Sequence, residues 1–275
     1  MSWHRLLAGS TKYAVLIAFA AFYLVPFYVM ILTGLKPLED ISSFEIWNMP
    51  KSLDFGSFRE AWNQMDSNFW NSVRITIPGA IVSTFLGSIN GYVFAKWGFR
   101  GSNVILFLFV FGMFLPGQGI LIPLVWVLQF MGLYGKVNGL IMAYCIFGIP
   151  ITSLLFYRYY ASVPDELVDA SKIDGCGFFG IYRRIILPLS GPTFAVVGVW
   201  QCTRIWNEYL MALVVLGNPA RAPVTVAIKN FSSMGVIPWN LQMAAALIAS
   251  VPTIAVYLLL GKLFMRGLLE GSLSG

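Results

Sequence analysis

DASKIDGCGFFGIYRRIILP, residues 169–188, lies in a chain that is 58% hydrophobic and only 11% charged. The stretch gathers Asp169, Lys172, Asp174, Arg183 and Arg184, is broken by glycines, and closes on Pro188. So many charges and helix breakers need water on at least one side, whereas the segments before and after it do not. The stretch therefore marks a polar loop between long apolar runs, and the fold follows from what those runs are.

With 275 residues and a mean hydropathy of +0.75, the chain has too few charges to cover a soluble globule, in which about a quarter of residues are charged. It reads as a membrane protein. The net charge of +6 comes from basic residues scattered singly between apolar runs, the pattern of topology signals rather than of a nucleic-acid face. Cys145, Cys176 and Cys202 fall in separate segments without CxxC spacing, and His4 is the sole histidine, so neither a disulfide framework nor a metal site is expected. The first apolar run begins near Tyr13 and passes Leu32, longer than the roughly 7–15 residues of a signal-peptide core and lacking a small-residue cleavage site. It is expected to be a retained span.

A bilayer core takes about 20 apolar residues per helix, and the chain offers six candidates, near 13–35, 70–94, 103–128, 138–158, 191–216 and 242–265. The predicted fold class is all-α, a polytopic membrane protein forming one domain over residues 1–275. Arg5, Lys12, Lys96, Arg100, Lys172, Arg183, Arg184 and Arg266 fall on one side of these spans. The loop with Glu39, Asp40, Glu45, Asp54, Glu60 and Asp66 falls on the other, together with Lys136, Arg221 and Lys229. The positive-inside rule then puts both termini and residues 169–188 in the cytoplasm. Pro26, Pro78, Pro116, Pro123, Pro150, Pro192 and Pro252 interrupt the spans and predict bent helices.

The polar loop, about 162–190, resolves into two short helices. Pro164 suits a first turn, Asp165, Glu166 and Asp169 complement the positive end of the dipole, and Gly175 after Asp174 supplies a left-handed stop. Leu167, Ala170 and Ser171 share one smooth face. A second helix, about Phe178 to Leu187, carries Phe178, Ile181, Tyr182 and Ile185 on one stripe as an apolar knob, and Pro188 prevents a smooth run into the next span. On composition alone, such a loop suits an interfacial helix on lipid as well as a docking site for a partner.

The residues add a resemblance. Asp169-Ala170-Ser171, Asp174-Gly175 and Ile185-Ile186-Leu187-Pro188, with thirteen residues from Gly175 to Pro188, resemble the EAA loop of ABC importer permeases, with Asp169 in place of Glu and Ser171 in place of Ala. The segments NSVRIT, YVFAKWGFRG, LPGQGILIPL, IPITSLLFYRYYASVPDELVDA, WNEYLMAL and GLLEGSLSG extend the likeness to the smaller permease of maltose-type carbohydrate importers, across nearly the whole chain after residue 70. The resemblance implies a type I ABC importer permease fold in the inner (plasma) membrane, with six transmembrane helices and a cytoplasmic coupling helix. Its coupling residues would be Asp169, Ala170, Ser171, Asp174, Gly175, Phe178, Ile181, Tyr182, Leu187 and Pro188. Implied partners are a second, homologous permease as heterodimer mate, two cytoplasmic ATPase subunits and an extracytoplasmic sugar-binding protein. The chain has no GxxxxGK[ST] loop, and AGSTK at 8–12 is not one. It reads as a transport subunit rather than an enzyme, binding no cofactor itself, with ATP and Mg held by the ATPase subunits.

Sugars are held by hydrogen-bonding side chains with aromatic faces against the ring. The candidates for a substrate path are Asn90, Tyr92, Gln118, Tyr144, Gln201, Arg204, Asn207 and Glu208, with Trp200 beside them, and ordinary interhelical bonding is the competing reading for each. A related polyol or a sugar phosphate would suit the same residues, and the resemblance leaves open which of the two permeases holds the substrate. An ion-driven carrier would instead use Arg204 and Glu208 as its intramembrane charges. A structural scaffold would leave the helix-turn-helix loop unexplained.

Overall fold

The computed structural model describes residues 3–41, 47–231 and 237–272, with side chains at 11–41, 47–231 and 237–261. Glu45 of the acidic loop and Ser274 of the tail lie outside the described residues, as do the side chains of His4, Arg5 and Arg266. The described residues form helices and no strand: α1 (Trp3–Gly34), α2 (Gly56–Lys96), α3 (Ser102–Met113), α4 (Gly117–Phe130), α5 (Val137–Ala161), α6 (Asp165–Ile173), α7 (Phe178–Leu189), α8 (Gly191–Trp206), α9 (Leu210–Leu216), α10 (Val224–Asn230) and α11 (Trp239–Ser272). Four are long and apolar enough to cross a membrane, and six spans result if the bent pairs α3–α4 and α7–α8 each count as one.

Three spans depart from expectation. The run 103–128 is not one helix, since α3 and α4 meet at 107° across residues 114–116. Pro116 sits there in an extended conformation (φ −63°, ψ 123°), has no N–H to continue the ladder, and disfavours helical geometry at Leu115. The run 191–216 is also broken. At Asn207–Tyr209 polar side chains take over the backbone bonds: Asn207 Nδ2 donates to Thr203 O, and the Glu208 carboxylate accepts from the N–H groups of Met211 (2.8 Å) and Ala212 (3.2 Å). Finally, α2 begins at Gly56, whose N–H is capped by Asp54 Oδ1 at 2.7 Å, well before the expected residue 70. At 1.5 Å per residue its 41 residues run about 60 Å, longer than a bilayer core is thick. Pro26, Pro78, Pro150 and Pro252, in contrast, lie inside continuous helices.

The chain divides into two compact units, Met1–Asp66 with Ile228–Ser250, and Ser67–Ala227 with Val251–Gly275; α2, α10 and α11 contribute to both. In the first, Gly34 at the end of α1 lies against Phe58 of α2 and the backbone of Ala244 of α11, and Asn240 Nδ2 donates to Ser57 Oγ at 2.9 Å. In the second, α2 and α5 meet along a seam of small residues. Gly79, Ser83, Gly87 and Gly91 of α2 face Tyr144, Gly148, Thr152 and Phe156 of α5 in the same order, so the two helices run parallel. A Cβ at Gly91 would stand 2.7 Å from the backbone nitrogen of Tyr157, and one at Gly87 would run into Thr152. The closeness lets Thr152 Oγ1 donate to Ser83 O across the seam at 2.9 Å. Such i, i+4 spacing of small residues is how membrane helices bring their backbones together without a hydrophobic driving force.

The cytoplasm-side end of α2, as the sequence reading orients it, carries the support for the polar loop. Tyr92 is wholly buried among Phe178, Tyr182, Trp97 and Tyr160. The buried Lys96 ammonium donates to Val163 O at 2.6 Å and to Asp165 Oδ1 at 2.5 Å, tying the start of α6 to α2. That hydrogen bond, reinforced by the Lys96 charge, holds the Asp165 carboxyl below its ordinary range.

Gly91→Val should force the seam apart and cost about 1–3 kcal/mol of overpacking, whereas Gly112→Val, with nothing within 4 Å of its added Cβ, should change stability by less than about 0.5 kcal/mol. Thermal unfolding in detergent micelles distinguishes them. For the Lys96 anchor, Lys96→Met should speed limited proteolysis within residues 162–176. Because the folded Asp165 value is lowered, its contribution is complete above the unfolded value near 3.9 and is lost as pH falls through the folded value. Amide-exchange protection of α6 should therefore differ between wild type and Asp165→Asn by a constant amount from neutral pH down to about 4, and the difference should vanish at lower pH.

Candidate functional site

The polar loop is built around a turn that only glycine makes without strain. Asp174 ends α6, Gly175 follows at φ +80°, and two backbone bonds close the helix: Gly175 N–H to Lys172 O at 3.0 Å and Cys176 N–H to Ser171 O at 2.9 Å. This is the paired 5→2 and 6→1 arrangement of a Schellman cap. Pro164 occupies the N-cap, one position before the expected first turn, and Asp165 and Glu166 begin the helix. After Gly177, α7 starts with a normal turn, widens into a π turn over Tyr182–Ile186, and passes through Pro188 to Ser190, where the chain bends 78° into α8.

The two faces of the loop differ from the expectation in phase. Ser171 lies inward beside Val168, its Oγ bonded back to Leu167 O, while Leu167, Ala170 and Ile173 point outward. Ile173 is 87% exposed and Phe179 73%. The stripe expected as an outward knob faces the other way: Ile181 and Tyr182 are buried, Ile185 is half-buried, and Phe178 packs on Tyr92 and Trp97. The reason is that α2 and α5 present Tyr92, Phe156 and Tyr160 on this side, and the most aromatic face of α7 closes on them. Asp169 is exposed and pairs with Lys172 at 2.9 Å, whose amine also lies 5.5 Å over the Trp97 ring. Asp174 and Pro188 are exposed and Leu187 is half-buried.

A second feature lies at the α3–α4 break. A cavity of about 280 Å³ is lined there by Leu115 of the break, Leu121 of α4, Phe147 and Ile151 of α5, and Trp200 and Arg204 of α8. The Arg204 guanidinium lies 5.8 Å from the Trp200 ring centroid and its Nε donates to Gln201 Oε1 at 3.3 Å. Arg204 Nη2 and the fully buried Gln201 Nε2 have no hydrogen-bond partner among the described residues. Beside them Tyr144 Oη donates to Glu208 Oε2 at 2.6 Å, so the Glu208 carboxylate is taken up by a phenol and two backbone N–H groups. The described residues contain no ion pair between Arg204 and Glu208.

Of the expected substrate-path residues, the fold gathers Tyr144, Gln201, Arg204 and Glu208, with Trp200. Tyr92 is not among them; it supports the loop. Asn90 is half-buried on α2, Gln118 is exposed on the first turn of α4, and Asn207 is exposed and closes the end of α8. Sequence reasoning used Lys96 only as a topology signal and assigned no role to Ile173 or Phe179. The 167–170–173 spacing was available as a signal, but Val168 and Ser171 form an equally smooth opposite face, so spacing alone did not set the phase.

Comparison with known proteins agrees with this architecture. A probable ABC transporter permease protein of Pyrococcus horikoshii is 43% identical over 265 residues, 96% of each chain. The xylose/arabinose import permease protein of Haloferax volcanii is 35% identical over 280 aligned residues, 94% of this chain and 91% of that one. A chain from the crystal structure of a bacterial ABC transporter involved in import of the acidic polysaccharide alginate superposes with a TM-score of 0.82 at 20% identity, over 95% of this chain and 98% of that one, which establishes the type I importer permease fold. Residues 58–269 match the family model described as binding-protein-dependent transport system inner membrane component. With its bent spans and capped loop, the chain belongs to that family of membrane transport permeases.

Proposed function

We propose that this chain is one of two permease subunits of a carbohydrate importer, and that its loop 162–190 docks a cytoplasmic ATPase whose hydrolysis of ATP drives transport. The observation that carries the reading is the two-sided loop: its inner face is buried and bonded to α2 and α5, while Leu167, Ala170, Ile173 and Phe179 are left uncovered on the outer face. Uncovered apolar side chains on a helix this firmly anchored suit a protein partner. In this reading both termini and the loop are cytoplasmic, the mate is a second homologous permease, ATP and Mg reside on two ATPase subunits, and an extracytoplasmic binding protein delivers the substrate. A carbohydrate is favoured because the Haloferax relative is named for xylose and arabinose import. The α3–α4 cavity adds to this, offering the Trp200 ring and Arg204 guanidinium, the aromatic face and fixed donors that a polyhydroxylated ring takes.

The test is reconstitution. The isolated chain should hydrolyse no ATP, whereas both permeases with the ATPase dimer, the binding protein and its sugar should hydrolyse it at an elevated rate; robust hydrolysis by the isolated chain would overturn the reading. A second test addresses the turn. Gly175→Val imposes about 1–2 kcal/mol or more of left-handed strain, and nothing beyond its chain neighbours lies within 4 Å of the added Cβ. Membrane insertion and permease pairing should persist while the ATPase recovered by pull-down falls and sugar uptake is lost. Normal recovery and uptake would make the loop a lipid-facing element.

A further inference from the structure

Four hydroxyls form a single hydrogen-bonded chain between the polar loop and the bend into α8. Ser190 Oγ donates to Leu187 O at 3.0 Å, and Tyr160 Oη donates to Ser190 Oγ at 3.2 Å. A phenol has one proton, so the 2.6 Å bond between Ser88 Oγ and Tyr160 Oη is donated by Ser88. The Ser88 proton is then used, and the 2.9 Å bond between Tyr182 Oη and Ser88 Oγ is donated by Tyr182. The order is Tyr182 to Ser88 to Tyr160 to Ser190 to the Leu187 carbonyl, with every proton committed once. All four side chains are buried.

The ends of this chain are two irregular places in the backbone. Tyr182 opens the π turn of α7, and Ser190 is the residue at which α7 turns 78° into α8. Its middle members stand on the two helices of the small-residue seam, Ser88 on α2 and Tyr160 on α5. An isolated π turn and a helix bend are both soft points at which a push on the loop would be absorbed by local rearrangement. The hydroxyl chain fixes both to the closely packed α2–α5 pair.

We propose that Ser88, Tyr160, Tyr182 and Ser190 are positioning residues that make α7, the bend and the α2–α5 pair move as one body, so that displacement of the loop reaches the cavity lined by Trp200 and Arg204. The proposal rests on the reading that an ATPase docks on the loop. It assigns the hydroxyls a role in coupling rather than in docking or in hydrolysis.

The assay needs no knowledge of the transported sugar. In the full complex, Cys145, Cys176 and Cys202 are replaced by Ala and Met211→Cys is introduced on the cavity wall. Alkylation of that thiol by N-ethylmaleimide is timed with and without ATP plus vanadate. The unaltered complex should show a nucleotide-dependent change in rate. Tyr182→Phe, which keeps the ring against Phe85 and Tyr92, and Ser190→Ala should keep the ATPase on pull-down and hydrolysis within about two-fold, yet shrink the nucleotide-dependent change on the order of 10-fold. Because one break opens the whole chain, the double variant should be no worse than the poorer single. Tyr160→Phe, a third break, should match them, and it substitutes for either single that does not assemble. Singles that retain the full nucleotide response, or a double that loses the product of the two, would overturn the proposal. An unaltered complex that retains no ATPase would overturn the docking reading and this inference with it, and is seen before any hydroxyl is changed.

Discussion

The close approach of α2 and α5 is the constraint on which the rest of this unit depends. In lipid, two helices gain little by hiding apolar side chains from a solvent that is itself apolar, so association must come from backbone proximity and interhelical hydrogen bonds. Four small or notched positions on α2 meet four on α5 in parallel register, and Thr152 bonds the carbonyl of Ser83 across them. Once that register is fixed, both ends are fixed. Towards the loop it places Ser88, Tyr92 and Lys96 where α6 and α7 can close on them; towards the other end it places Tyr144 against Glu208.

The loop and the cavity draw on this frame in different ways. The loop is held by directional bonds: a buried ammonium on a carbonyl and a carboxylate, a Schellman cap, and phenols on serine hydroxyls. The cavity is a consequence of interruption. Pro116 removes a donor where α3 would have continued, and Glu208 draws the first N–H groups of α9 away from a continuous α8. Both breaks leave polar or aromatic side chains facing space that an unbroken helix would have filled.

How far these features were legible in the sequence depends on how many residue types tolerate each one. Gly175 was readable because hardly any other residue takes φ +80° without strain, and the apolar runs were readable because no soluble fold spends so many residues that way. The phase of α6 and α7 was not, since Leu167 and Val168, or Phe179 and Ile181, differ too little to say which side meets protein. Tyr92 was misplaced for a related reason: a tyrosine that donates to a sugar and one that donates to the carbonyl of Phe178 look the same in sequence. Proline was ambiguous as well, breaking the chain at Pro116 yet not at Pro26, Pro78, Pro150 or Pro252. Gly87 and Gly91, four residues apart, were a signal for the seam that a search for punctuation alone passes over.

The seam also decides how the chain enters a bilayer. Glycines and serines give α2 its notch at the expense of the large apolar side chains that carry a helix into lipid. Its most apolar window reaches a hydropathy of only 1.3, against 2.5 for α1, 2.0 for α5 and 2.2 for α11. Among these four the ordering runs against self-sufficiency: α1, with 6% of its window buried, is the most apolar, whereas α2, half buried, is the least. During synthesis its notch and the serine hydroxyls beside it face lipid until residues 144–156 have left the ribosome. Among the four continuous spans α2 therefore has the least apolar surface of its own to hold it in lipid, and the sequence that makes the folded pair tight leaves its first helix the most reliant on neighbours once it is there.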